Sequence, residues 1–289
     1  MFYKYFMKKI KIAPFYDKQF LEIDRPQPLS DIKTEILIKE VLGGGIDKDI
    51  SDNLFTNFID HITNYITKSD INQFSGLEVF PNKDIILGCT HFIDNLYMQG
   101  PCQTILNDYK YHERLQLGQI NEVGHLVKNV PLILSLPFPA TGDIHPKIDA
   151  ILSESLEKNI DVHIDGAWLL AAKNINFNFA HPAIKSIGVS LSKGLSLGWN
   201  RIGIRFRKIK YNDSISIMNQ YNMTNKSLII VGLHYLKNLA RDYFWKKYET
   251  TYYKICTDFD LKPTNTIHIA LKDNTPVGLS PLIRFIHES

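Results

Sequence analysis

The run Val130 to Leu136 is aliphatic on both alternating faces, interrupted only by Pro131 and Ser135. A strand with no face left for water belongs in a sheet covered on both sides, the habit of parallel sheets. Shorter apolar runs have similar character: Asp84 to Leu87, Thr104 to Leu106, Asp161 to Asp165, Ile187 to Leu191 and Ile202 to Phe206. Helical stripes stand between some of them. Leu54 to Ile66 has apolar residues at 54, 55, 58, 59, 62, 65 and 66, and His145 to Leu156 turns Ile148, Ile151, Leu152 and Leu156 to one side. Strands alternating with helices predict an open α/β sheet, in which ligands collect beyond the carboxyl ends of the strands.

Composition narrows the functions open to such a chain. A hydrophobic content of 44% with 22% charged residues is that of an ordinary globular protein, and 289 residues can bury a large core. The net charge of +3 is small and dispersed, which argues against a nucleic-acid partner. The densest basic run, Arg205 to Lys210, reads as a solvated strand exit. No apolar stretch approaches the length of a membrane span, and Met1 to Ile12 lacks the apolar segment of a signal peptide. Cys89, Cys102 and Cys256 have no metal-site spacing and form no even disulfide framework, which suits reduced thiols in a cytoplasmic protein. Gly43-Gly44-Gly45 is followed by no Lys-Ser/Thr pair, so it is a joint rather than a nucleotide loop.

Two strand ends carry the chemistry. Val162-His163-Ile164-Asp165 ends on a carboxylate, and Ile187 to Leu191 leads into Ser192-Lys193. Alone, Lys193 is a loop lysine and Asp165 a helix cap. Together they suit a cofactor with a protonatable ring nitrogen and an aldehyde: the carboxylate keeps the ring cationic and the amine forms a Schiff base. Arg201 follows Lys193 by eight positions, with small residues between that let the loop return. Upstream, Gly88-Cys89-Thr90 sits between a strand and a helix, an arrangement that offers unsatisfied N–H groups to an anion.

These residues resemble the pyridoxal-phosphate-dependent aminotransferases of class I/II, the fold-type I family. The family pattern is Asp-x-Ala-Tyr, then Ser-x-Ser-Lys, then an arginine eight residues beyond the lysine, then x-Gly. This chain has Asp165-Gly166-Ala167-Trp168, Ser190-Leu191-Ser192-Lys193, Arg201 and Gly203. The resemblance implies a mostly parallel central sheet with helices on both faces and a reduced C-terminal α+β domain. It implies pyridoxal 5′-phosphate bound covalently to Lys193, with Asp165 beneath the ring nitrogen. Gly88, Cys89, Thr90, Ser190, Ser192 and Arg201 fall at the phosphate-binding positions. An aromatic residue stacks on the ring in this family, and Tyr111 is the choice here, with Tyr109 second. Arg284, in an apparent terminal strand Pro281 to Ile286, corresponds to the arginine that grips the substrate carboxylate.

The chain departs from the pattern at two places. Pro139 stands where an asparagine donates to the cofactor's ring oxygen, and proline offers no donor of any kind. Trp168 replaces a tyrosine that donates to the same oxygen, although an indole N–H can also donate. The implied organisation is an N-terminal segment over 1–45, a cofactor-binding domain over 46–240 and a small domain over 241–289. The implied activity is transamination of an amino acid and keto acid pair in a homodimer. Decarboxylation or another reaction of the same apparatus is the alternative, as is a non-catalytic relative that keeps the fold for binding.

Overall fold

The computed structural model describes residues 28–44, 53–115, 117–210 and 212–288. In chain order the elements that frame the site are helices α1 (Ile32–Leu42) and α2 (Leu54–Thr67), strands β1 (Gln73–Ser75) and β2 (Asn82–Ile86), and helix α3 (Cys89–Gln99). Strand β3 (Gln103–Ile105), helix α4 (Tyr111–Leu115), strands β4 (Gln119–Asn121) and β5 (Leu132–Ser135) and helix α5 (Ile148–Glu157) follow. Next come β6 (Val162–Gly166), β7 (Asn176–Asn178), β8 (Ile184–Ser190), the short helix α6 (Leu191–Gly194) and β9 (Gly203–Arg207). Helices α7 (Ser214–Gln220), α8 (Lys226–Asn238) and α9 (Tyr243–Asp258) lead to strands β10 (Lys262–Pro263), β11 (Ile269–Lys272) and β12 (Thr275–Gly278) and helix α10 (Ser280–Glu288).

Seven strands form the central sheet in the order β2-β9-β8-β6-β5-β3-β4. All pairings from β8 to β4 are parallel, while β9 runs antiparallel to both β8 and β2. The carboxyl ends of β2, β3, β5, β6 and β8 therefore share one edge, and the start of β9 reaches the same edge. Side-chain alternation splits the sheet between two cores. Leu132, Leu134, Val162 and Ile164 face the larger one, whereas Ile133 and Ile86 meet Phe92, Ile93 and Leu96 of α3 in a smaller one. The α3 face also carries the polar positions of the sheet. His163 shares a hydrogen bond with Ser186 at 2.7 Å, and Arg205 pairs with Asp84 and Asp213. No described helix is long and apolar enough to cross a membrane.

The N-terminal segment is tied to the other end of the chain. Asp31 caps α1 through a capping box with Thr34, and its second carboxylate oxygen accepts from Tyr243, Lys247 and Tyr248 of α9. Those donors hold the Asp31 carboxyl down at about 2 against the opposing effect of burial.

The C-terminal region differs from the sequence reading in one element. Pro281 to Ile286, expected as a strand, lies within helix α10. Proline in a first helical turn costs no hydrogen bond, and Leu282 and Ile283 are both buried, which strict alternation along a strand would forbid. The strand that β11 needs as a partner is β12, joined to it by Asp273-Asn274 with both residues at positive φ. That two-residue turn has the twist hairpins prefer. The three strands β10-β11-β12 form a small antiparallel sheet.

Candidate active site

Gly88 opens the site. It follows β2 with φ +82° and precedes α3, a conformation that L side chains rarely adopt. A Cβ placed there would lie 3.3 Å from Nε and Nη2 of Arg201 and 3.3 Å from Ser190 Oγ. The absence of a side chain thus lets two strand ends and the loop before β9 converge. Arg201 Nη2 donates to Thr90 Oγ1 at 2.6 Å. Ser190 caps α6, accepting from the Ser192 N–H at 3.2 Å, and its hydroxyl donates to Ser192 Oγ at 3.0 Å. A guanidinium, three hydroxyls and the first turn of an 11-residue helix therefore meet at one place, as an anion site requires.

Asp165 lies at the end of β6, opposite Gly188 of β8. Its carboxylate is buried and accepts from the Ala167 N–H at 3.0 Å. Burial raises its pKa, against the lowering influence of the Cys89 thiol, the Ala167 amide and the Arg201 charge. A cation set directly against it would pull the value back down. Cys89 is the neighbour on α3; burial first, then the Asp165 charge, push its thiol well above the usual range. Its Sγ donates to the Gly188 carbonyl at 3.4 Å.

Lys193 sits in α6, directly after β8, with Nζ 5.1 Å from the centre of the Trp168 ring. Trp168 comes from the turn after β6, so the lysine and the Asp165 strand end share a wall. Tyr111 starts α4 and donates from its hydroxyl to Asp94 Oδ1 at 2.7 Å. Burial, then Asp94, push the phenol up to about 12, and the Arg201 charge opposes the shift. Tyr109 stacks on Tyr111 with ring centres 5.7 Å apart. Arg284 is on α10, pairing with Glu35 at 2.6 Å and donating to Ser30 Oγ at 3.1 Å. Pro139 lies in the turn closed by Phe138 and Asp143, where it presents no polar side chain.

The expected phosphate-site residues Gly88, Thr90, Ser190 and Arg201 are brought together, Ser192 bonds to Ser190, and Cys89 reaches Asp165. Two residues at the same edge were not anticipated. Asp108, just past β3, is buried and accepts from the Tyr109 and Ser135 N–H groups at 2.6 and 3.0 Å. Burial pushes it up to about 6, the nearby Asp165 charge adding to the shift. His268, just before β11, stands edge-on to Trp168 with ring centres 5.1 Å apart. Asp108 carries no sequence signal beyond its place after a strand, and His268 carries none.

No protein-family model matches the chain, and no curated protein matches it. Solved structures do. The chain is similar to an aspartate aminotransferase double mutant of Thermus thermophilus, at 14% identity and TM-score 0.60, over 86% of this chain and 75% of that one. The aromatic aminotransferase of Pyrococcus horikoshii OT3 aligns at 14% identity and TM-score 0.62, over 91% and 81%. The histidinol-phosphate aminotransferase of Sinorhizobium meliloti, solved with pyridoxal-5′-phosphate, aligns at 14% and 0.57, over 90% and 80%. The fold is that of the aminotransferases. The strand ends that carry Gly88, Asp165 and Ser190 are thus carboxyl ends of the aminotransferase-type sheet.

Proposed function

We propose that this protein is a pyridoxal-phosphate-dependent aminotransferase acting on an amino acid and keto acid pair, with Lys193 as its attachment residue. The observation that carries the reading is the closure of Arg201 onto Thr90, above Gly88 and beside Ser190. Such a cup fits a phosphate dianion. The buried, raised Asp165 fits a cationic ring nitrogen. Pyridoxal phosphate, when bound, supplies an electron sink for the bonds at the substrate's Cα.

The chain's own residues divide the remaining work. The α3 N–H groups, Thr90, Ser190, Ser192 and Arg201 hold the phosphate. Asp165 holds a proton on the ring nitrogen, since opposite charges a few ångströms apart stabilise one another. Lys193 would hold the coenzyme through Nζ and, with that amine free, would act as the general base that takes the Cα proton. Trp168 offers its indole N–H to the ring oxygen in place of the missing tyrosine and asparagine. Tyr111 offers the aromatic face. Arg284 meets the substrate carboxylate by exchanging Glu35 for it. A homodimer and a cytoplasmic location belong to the same reading.

The test is spectroscopic. Adding pyridoxal phosphate to the purified protein should produce a visible band, borohydride should fix the coenzyme, and peptide mapping should find it on Lys193. An amino acid that bleaches the band then names the substrate; label on any other lysine defeats the reading. Pro139 favours a second reading, a cofactor-binding protein without turnover. A stable band that no amino acid bleaches would support it.

A further inference from the structure

We propose that His268 is a substrate-positioning residue whose Nδ1–H donates a hydrogen bond to a carboxylate oxygen of the amino acid. The inference rests on the coenzyme reading above and assigns a part of the substrate site that the motif residues leave open.

The imidazole is fully buried and firmly placed. Its backbone is pinned on both sides: Ile267 N–H donates to the Ala171 carbonyl at 3.2 Å, and Leu279 N–H to the His268 carbonyl at 2.9 Å. Nε2 accepts from the Leu29 N–H at 3.2 Å. A nitrogen that accepts cannot carry the proton of a neutral ring, so the proton resides on Nδ1. Burial, and then the Lys193 charge, push the imidazole down to about 3, which keeps the ring neutral. Nδ1 has no hydrogen-bond partner among the described residues. A buried donor without an acceptor is rare in a native protein, and an acceptor supplied by a ligand resolves it.

The surroundings indicate what that ligand is. The ring stands edge-on to Trp168, and the face of the same indole carries Lys193 Nζ at 5.1 Å. Leu29, bound to the imidazole, is followed by Ser30, which accepts from Arg284. The Nε2 side of the imidazole and a guanidinium are therefore anchored to consecutive residues of one segment, and the imidazole itself lies within reach of the Lys193 charge. An amino acid reacting at Lys193 places its carboxylate one bond from Cα, within this corner. The acceptor that suits both groups is a carboxylate, and a preorganised donor spends no ordering entropy on it.

Three variants separate ligand binding from packing. In H268N the amide nitrogen takes the place of Nδ1 and the acceptor for Leu29 is lost. In H268Q the amide reaches the Nε2 position, so the Leu29 contact is kept and the donor is not. H268F keeps only bulk. The coenzyme-loaded protein is titrated by calorimetry with maleate and with 3-phenylpropanoate, two unreactive carboxylates. H268F and H268Q should weaken both by about tenfold or more, and H268N should stay within about threefold of the parent. Rescue by H268Q instead of H268N, unchanged binding in all three, or no binding by the parent chain overturns the proposal. Nitrogen NMR of the parent protein is independent of how any variant folds. It should find the Nδ1–H tautomer, with that proton moving downfield on maleate addition; the Nε2–H tautomer overturns the assignment. Absence of a coenzyme band at Lys193 would sink the aminotransferase reading separately, because the tautomer is read on the protein without coenzyme.

Discussion

Arg201 Nη2 and Thr90 Oγ1 meet at 2.6 Å although 111 positions separate them along the chain. The contact joins the loop before β9 to the first turn of α3, and no local preference could form it. Arg201 also lowers the pKa of the buried Asp165, and the contact's further purpose is read from the ligand it would receive. R201A should weaken pyridoxal phosphate binding by about a hundredfold, the loss of roughly 3 kcal/mol of charge-assisted hydrogen bonding. T90A should cost about 1 kcal/mol. Fluorescence titration of the coenzyme checks both.

Gly88 should tolerate no side chain. In G88A a methyl group would sit 3.3 Å from Arg201 and Ser190 on a backbone at φ +82°. With ψ at 171° that backbone lies in a region essentially confined to glycine, which costs another residue about 1–3 kcal/mol. Thermal unfolding should register that loss without ligand, and coenzyme titration should register a larger one, because Arg201 has to move.

Asp108 should give the protein an unusual pH dependence. Burial raises its folded-state pKa to about 6 from the ordinary 3.8 of an aspartate. Between about pH 4 and 6 the native state keeps a proton that the unfolded chain has released. Stability contributed by this group therefore falls as pH rises through that window, by about 3 kcal/mol in all. Urea unfolding of D108N beside the parent should show the variant gaining 2–3 kcal/mol relative to it, as an order-of-magnitude figure, between pH 4 and pH 7. A constant difference across the range would refute the assignment.

The spacing of Asp165, Lys193 and Arg201 was readable because each belongs to a strand end or to the loop just after one, where sequence order and spatial order agree. Parallel burial was readable from Leu132 to Leu134 for the same reason. What escaped depends on partners far away in sequence. Pro281 to Ile286 has an apolar pattern short enough to suit strand or helix, and only the β11–β12 hairpin, which occupies the available sheet edge, decides for helix. His268 gains its meaning from Leu29 and Trp168, neither of them near it in the chain. Arg284 had a foreseeable charge but not a foreseeable partner in Glu35.

Asp31 should matter more to stability than a single helix cap. Its carboxylate takes the Thr34 amide, two tyrosine hydroxyls and the Lys247 ammonium. D31A should cost about 2–4 kcal/mol, above the roughly 1 kcal/mol of an ordinary cap, since Tyr248 and its neighbours lose their acceptor. Denaturant midpoints compared with T34A, which removes only one side of the capping box, separate the two contributions.

Cys89, Cys102 and Cys256 are all buried, and burial raises each thiol. The native protein should resist iodoacetamide at pH 8 and take up three equivalents once unfolded, as mass spectrometry would record. Rapid native labelling of Cys89 would contradict the packing of α3 against Gly188.

The reversed direction of β9 has a consequence for how the protein is made. Because that strand enters at the edge where β2 and β8 finish, Arg201 arrives beside Gly88 without a crossover, but only after Ile86 has come to lie against Gly203. Until the early and late halves of the sheet have zipped together there is no pocket for a dianion. If the proposed coenzyme binds there, its yellow colour would be a test for complete assembly: a half-folded chain, however helical, would stay pale.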